Sequence, residues 1–228
     1  MTEYKLYSAS GNPTALVYGQ PDAELAKQIL KDDPRAEQVG FLSCDDGFSL
    51  TMAGGEFCGN ALRCAAFEFL GGKPGVLGIS SSGTDEFLSC GVSADEEGGR
   101  PVVWAKMPKA LGVESRDFGF LVRFSGIVHA VTGPEYTKNP EKLLKILKNN
   151  EKDAAAIGII SIKDDTMYPV VWVRDIDTLY HESACGSGCA ACACAFEKSV
   201  RLRQPSGKYL SAQYADGTVI LSGPVELL

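Results

Sequence analysis

Histidine is scarce in this 228-residue chain, which contains only His129 and His181. Cys189-x-x-Cys192 has no second cysteine pair at matching spacing, so no metal site is expected. No lysine stands in a context that suggests pyridoxal phosphate, although the sequence alone leaves a Schiff-base lysine open. Basic clusters are missing too. With a formal net charge of -7, neither nucleic acid nor an anionic membrane is expected as a partner. The start, Met1-Thr2-Glu3-Tyr4-Lys5, lacks an apolar signal core, and no window reaches the ~20 apolar residues of a membrane-spanning helix. A cytoplasmic location and reduced thiols follow as expectations, because eight cysteines without a secretory leader do not read as a disulfide framework.

Cysteine itself is plentiful, and it is crowded. In Glu182-Ser183-Ala184-Cys185-Gly186-Ser187-Gly188-Cys189-Ala190-Ala191-Cys192 a cysteine precedes a glycine-rich bend, and small apolar residues then run to Phe196. Such a run predicts a helix buried on nearly all sides. Gly186, Ser187 and Gly188 form its first turn, where backbone N–H groups have no partner within the helix. Cys185 then sits at the positive end of the helix dipole, a setting that lowers a thiol pKa and holds carboxylates. Cysteine is also a common small core residue, so this stretch alone leaves both readings open.

A second copy has the same grammar: Cys58-Gly59-Asn60-Ala61-Leu62-Arg63-Cys64-Ala65-Ala66-Phe67-Glu68, closing on Ala-Phe-Glu as the later helix does at Ala195-Phe196-Glu197. Upstream, Ser10-Gly11-Asn12-Pro13-Thr14-Ala15-Leu16-Val17 is answered by Ser125-Gly126-Ile127-Val128-His129-Ala130-Val131. Two signals recurring in one order suggest a duplicated unit. The rest alternates as short strands, with a helix from Asp22 to Leu30 and another opening at Asn139-Pro140-Glu141. In the latter, Leu143, Leu144, Ile146 and Leu147 are expected to face inward and Lys142, Lys145 and Lys148 to face water. Asp95-Glu96-Glu97-Gly98-Gly99 reads as an acidic turn, and Asp216-Gly217 as a two-residue hairpin. Periodicity is lost over Pro108–Arg116, which sets the boundary. The expected units are residues 1–112, carrying the Cys58 helix, and residues 113–228, carrying the Cys185 helix, with the last strand free to return to the first unit. The fold class is α+β: two pseudo-symmetric halves, each a rolled, mostly antiparallel sheet around a central buried helix.

Two Cys-Gly helix starts facing across a cleft suit the inversion of an amino-acid α-carbon. One thiolate removes the proton and the opposite thiol returns one to the other face. With its Ser10-Gly11-Asn12, Cys58-Gly59-Asn60 with Arg63-Cys64, Gly126-x-x-His129 and Ala184-Cys185-Gly186-Ser187-Gly188, the chain resembles the diaminopimelate epimerase family of cofactor-independent amino-acid racemases. The resemblance implies Cys58 and Cys185 as the catalytic pair. It also implies Gly59, Asn60, Gly186 and Ser187 as backbone donors to the substrate carboxylate, Asn12 as a substrate-lining residue, and His129 at a family position. No cofactor and no metal are implied, the partner is a small-molecule amino-acid substrate, and a homodimer is compatible with this reading.

The departures narrow the substrate. Gly126-Ile127-Val128-His129, Ala156-Ile157-Gly158-Ile159 and Ile176-Asp177 stand where diaminopimelate-specific members carry asparagines and a Glu-Arg pair. The asparagines and arginine that pair a second carboxylate and ammonium are gone. Acid is gained at Asp175, Asp177 and Glu182, and Glu56 stands two residues before Cys58. The run Asp175-Ile176-Asp177-Thr178-Leu179-Tyr180-His181-Glu182-Ser183 resembles the histidine racemases of this superfamily. A racemase acting on histidine is therefore the leading expectation. Epimerisation of diaminopimelate or another basic amino acid, a thiol enzyme using Cys189-x-x-Cys192, and an idle amino-acid-binding protein are the alternatives. Glu56 and Glu182 are expected to line the site. Cys44, Cys64, Cys90, Cys189, Cys192 and Cys194 are expected to be packing residues.

Overall fold

The computed structural model describes residues 3–94 and 101–228; the acidic turn expected at residues 95–99 lies outside them. The chain begins β1 (Lys5–Ala9), β2 (Asn12–Tyr18), α1 (Ala23–Asp32), β3 (Gln38–Ser43), β4 (Ser49–Met52) and α2 (Gly59–Phe69). It goes on through β5 (Gly75–Ser81), β6 (Phe87–Ser93), β7 (Val102–Lys106), β8 (Gly112–Arg116), β9 (Gly119–Arg123), β10 (Ile127–Thr132) and α3 (Pro140–Asn150). Last come β11 (Ala156–Lys163), β12 (Thr166–Val173), β13 (Thr178–His181), α4 (Gly186–Phe196), β14 (Val200–Arg203), β15 (Tyr209–Ala215) and β16 (Thr218–Leu227).

Local chemistry sets several of these elements. Ser10 and Gly11 both take positive φ, as do Asp216 and Gly217. Consecutive left-handed residues match the twist of flanking strands, so each pair closes a tight hairpin, β1–β2 and β15–β16. Asp22 caps α1 by accepting from the Glu24 and Leu25 N–H groups.

The sixteen strands of the described residues join in one sheet. Its order is β1-β2-β3-β4-β5-β6-β7-β16-β15-β14-β12-β11-β10-β9-β8, with β13 on β12 and β16 also on β1. The sheet is mixed, with parallel pairings at β2–β3, β4–β5, β10–β11 and β12–β14. Because β16 pairs both β7 and β1, the first seven strands and β16 close a ring. That ring encloses α2, whose residues from Gly59 to Ala66 are all buried. The remaining strands curve about α4, which is buried from Gly186 to Ala195. Alanine, glycine and cysteine suit this position, since larger side chains would push helix and sheet apart. The expected boundary at 112/113 falls at the start of β8.

Some local expectations need correction. Residues 112–116 form a strand, although their sequence has no clear alternation; β8 is an edge strand with only its β9 side paired. Ile146 is 50% exposed. At 100° per residue it lies well off the stripe defined by Leu143, Leu144 and Leu147, all buried. Cys44 is exposed in the turn after β3 and packs in no core, while Cys64, Cys90, Cys189, Cys192 and Cys194 are buried. Lys148 covers the Trp172 ring at 3.7 Å. Among the described residues, no helix is long and apolar enough to cross a membrane.

Candidate active site

The two cysteine-led helices meet at their N-termini. A Cβ on Gly186 would stand 2.9 Å from Asn60 Oδ1 and 3.2 Å from the Asn60 nitrogen, so only glycine permits this approach. Asn60 Nδ2 donates to the Ala184 carbonyl at 2.8 Å and ties the start of α2 to the residue before Cys185. Each cysteine is the N-cap of its helix. Ala61 N–H donates to Cys58 Sγ and Gly188 N–H to Cys185 Sγ, both at 3.4 Å. The fourth N–H of each turn goes to the cysteine carbonyl, through Leu62 and Cys189. That leaves the N–H groups of Gly59, Asn60, Gly186 and Ser187 outside the helical ladders, at the positive ends of two dipoles.

Cys58 and Cys185 line one cavity. Around them stand Asn60, Gly186 and Ser187, three glutamates (Glu37, Glu56 and Glu182), Gln38, Tyr180 and apolar side chains including Phe57, Ile127, Val173 and Ile176. Among the described residues, no lysine or arginine lines the cavity. Glu56 is 7% exposed, and burial raises its carboxyl to about 7. Glu182 rises to about 8, through burial first and then through its Glu37 and Glu56 neighbours. One carboxylate oxygen of each, Oε2, is covered and has no hydrogen-bond partner among the described residues. The cavity thus presents unpartnered acceptors and suits a ligand that brings donors.

The lowered thiol pKa expected at the helix starts is not what their surroundings produce. Burial pushes the Cys58 thiol up to about 12, and the Glu182 carboxylate adds to the rise. Cys185 lies well above the ordinary thiol range for the same two reasons. The N–H groups of Ala61 and Gly188 pull the other way but are outweighed. Desolvation of a charge inside a packed protein exceeds what a helix end returns.

The remaining expected residues stand one layer back. Asn12 is fully buried; it donates to Glu37 at 2.6 Å and accepts from Gln38 Nε2 at 2.7 Å, so it braces two lining residues. His129 Nε2 lies 2.9 Å from Ser187 Oγ, which lies 3.7 Å from Cys185 Sγ. Burial lowers the His129 pKa to about 3, so its ring is neutral and positions Ser187. Gly59 lies under the thiol-bearing turn, packed on Met107 and Leu221. Asp175 and Asp177 do not line the cavity, and Asp177 accepts from Trp172 Nε1 at 2.8 Å.

Four residues escape the sequence reading. Gln38 Oε1 accepts the Cys58 thiol at 3.1 Å. Glu37 accepts from the Ser183 hydroxyl and backbone N–H and from Asn12 Nδ2, tying the segment that carries Cys185 to the start of β2. Gln204, 1% exposed, accepts the Cys185 N–H at 3.0 Å. Tyr180 reaches the cavity from β13.

The chain is similar to known proteins over most of its length. The family model "Histidine racemase CntK N-terminal domain" matches residues 4–220. A histidine racemase of Fusobacterium nucleatum subsp. nucleatum is 30% identical over 247 aligned positions, covering 96% of this chain and 92% of that protein. A histidine racemase of Staphylococcus aureus is 25% identical, covering 83% of this chain and 77% of that protein. Among solved structures, a predicted epimerase of Pseudomonas aeruginosa superposes with a TM-score of 0.70 at 16% identity, covering 100% of this chain and 97% of that one. That likeness supplies the fold, α+β of the diaminopimelate-epimerase type with a barrel-forming mixed sheet. By the match over nearly its whole length, the chain belongs to the histidine racemase family of isomerases.

Proposed function

We propose that this protein racemises histidine without pyridoxal phosphate, Cys58 and Cys185 serving opposite faces of one α-carbon. The observation that carries the reading is that both thiols, each capping a buried helix, line one cavity at the junction of the two helix starts. One thiolate takes the α-proton, breaking Cα–H and forming S–H. The other thiol gives up its proton to the opposite face, and the negative charge ends on that sulfur. The N–H groups of Gly59, Asn60, Gly186 and Ser187, outside the helical ladders, hold the substrate carboxylate and the charge that spreads onto it between two positive helix ends. With both thiols raised by burial, forming the first thiolate needs a base to take its proton. Glu182, beside Cys185, is the base within reach of that proton. No lysine lines the cavity, so a Schiff base has no amine to form on there.

Histidine is favoured over diaminopimelate by charge. A lining of three glutamates without arginine or lysine offers no cation to a second carboxylate, whereas an imidazole, which both donates and accepts, can pair with the unpartnered Oε2 of Glu56 or Glu182 in either protonation state. The division into residues 1–112 and 113–228, one cysteine from each, belongs to the same proposal, with β16 returning to the first unit.

The test is α-proton exchange in D₂O, followed by NMR, over a panel of single amino acids. Histidine is expected to exchange and racemise, with diaminopimelate, glutamate and aspartate poor. Glu182→Ala is expected to depress histidine turnover while leaving the fold intact. A tenfold preference for diaminopimelate, about 1.4 kcal/mol of discrimination, would sink the histidine assignment and leave the two-thiol chemistry standing.

A further inference from the structure

Arg63 is the largest of the fully buried side chains, 0% exposed, on the second turn of α2 inside the closed ring. It does not line the cavity, and no step proposed above uses it. Its Nη2 donates to Asn60 Oδ1 at 3.1 Å and to Ser10 Oγ at 3.4 Å. Nε and Nη1 have no acceptor among the described residues. The glycine at 223 makes room for it, since a Cβ there would stand 3.0 Å from Nη1 and 2.6 Å from Ser10 Oγ. The titratable groups facing the guanidinium are thiols: Cys58 and Cys64 on its own helix and Cys189 on α4. Burial brings its pKa down to about 10, so it stays charged at neutral pH.

As a packing element this is a poor choice. A buried charge without an anionic partner opposes folding, and an apolar side chain of similar volume commonly serves stability as well or better. What the guanidinium offers is position. It has only donors, so Asn60 must turn its oxygen toward Arg63 and its amide NH₂ toward the Ala184 carbonyl. A fixed positive charge also lies behind the α2 N-terminus, where its field adds to that of the helix dipole.

We propose that Arg63 is the buried counter-charge of the active site, a positioning residue. It sets the Asn60 amide that joins the two cysteine segments, and it favours the anions the reaction needs at Cys58 and at the bound carboxylate. Its catalytic consequence rests on the racemase reading; its effect on the Cys58 thiol does not. At Cys58 the Glu56 and Glu182 carboxylates oppose thiolate formation and the Ala61 and Asn60 N–H groups favour it; Arg63, hydrogen-bonded to the Asn60 side chain at 3.1 Å, adds a cation to the favouring side.

Three variants of the full chain test this. Arg63→Met removes charge and donors, Arg63→Gln removes the charge but keeps a donor, and Arg63→Lys keeps the charge. Iodoacetamide alkylation of Cys58 at pH 7, 8 and 9, quantified by mass spectrometry, reads thiolate without any substrate. The Gln and Met variants are expected to alkylate about tenfold more slowly than wild type at each pH, the Lys variant within about threefold. The melting temperature of Arg63→Met is expected to match or exceed wild type, while kcat for histidine falls tenfold or more and KM moves less. Wild-type alkylation rates in a folded Gln variant would overturn the proposal, as would an equal loss in Gln and Lys. Should the Met variant fail to fold, the Gln–Lys contrast decides. A wild type that alkylates as expected but never exchanges the histidine α-proton would refute the racemase reading alone.

Discussion

Replacing Glu56 with glutamine changes one atom of a buried side chain and removes one titration. Burial, with Asp175 adding to it, lifts the Glu56 carboxyl from 4.5 to about 7. An acid whose folded pKa lies above its unfolded one holds its proton more tightly in the native state. Its native environment is therefore best tolerated below pH 4.5, and stability is lost as the pH climbs from there through about 7. At about 1.4 kcal/mol per pH unit, the interval between the two values amounts to about 3 kcal/mol. Glutamine keeps the shape and escapes the loss. The stability of Glu56→Gln relative to wild type should thus rise by about 3 kcal/mol between pH 4.5 and pH 8. Urea unfolding of both proteins at the two pH values measures it. In thermal melts of a chain this size the same quantity is a relative gain of roughly 6–12 °C. A variant-minus-wild-type difference that is the same at both pH values would refute the assignment of Glu56 as a buried, desolvated acid.

Cys58→Ala or Cys185→Ala should abolish racemisation in both directions, whereas Cys64→Ala and Cys192→Ala should mainly lower the melting temperature; near wild-type turnover by Cys58→Ala would end the two-thiol mechanism. Gly186→Ala places a methyl 2.6 Å from Leu221 Cδ2 and 2.9 Å from Asn60 Oδ1. It should cost about 1–3 kcal/mol in urea unfolding and separate the helix starts enough to lower kcat/KM at least tenfold. Gln38→Leu strips the acceptor from the Cys58 thiol and a donor from Asn12. It should destabilise by about 1–3 kcal/mol, and an unchanged unfolding midpoint would show that Gln38 braces nothing.

The parts of the site legible in the sequence are those written locally. A cysteine, a glycine and a run of small residues encode a capped, buried helix without reference to anything distant. The positive-φ pairs Ser10-Gly11 and Asp216-Gly217 encode hairpins in the same way. Glu37 and Gln38 follow the charged stretch Lys31-Asp32-Asp33-Pro34-Arg35 and read as more loop. Only the parallel register of β2 and β3, with Thr14 opposite Gln38, brings them onto Asn12 and Cys58. Thiol ionisation is non-local for a related reason. A helix start is a local feature, but the desolvation that outweighs it arises from everything packed over the cysteines, including Glu182 from the far end of the chain. Ile146 shows the converse, where counting apolar residues gave a wider buried face than helical angles allow.

The strand that closes the ring is made after the other fifteen described strands. β16 reaches back to β1, with Tyr7 opposite Leu227, and to β7, with Ala105 opposite Leu221. Until the ribosome has released residues 218–227, β7 lacks its second neighbour and β1 one of its own, so two strand edges stay open while α2 waits without its full enclosure. Contacts this distant in sequence slow folding, because a loop of more than two hundred residues must close before they repay its entropy. Open edges in that interval are templates for pairing with other chains. Synthesis therefore passes through a stage in which the N-terminal half is sticky and unfinished. Trigger-factor-like holding of the nascent chain, or a circular permutant that places β16 ahead of β1, should raise the soluble yield without changing the finished molecule.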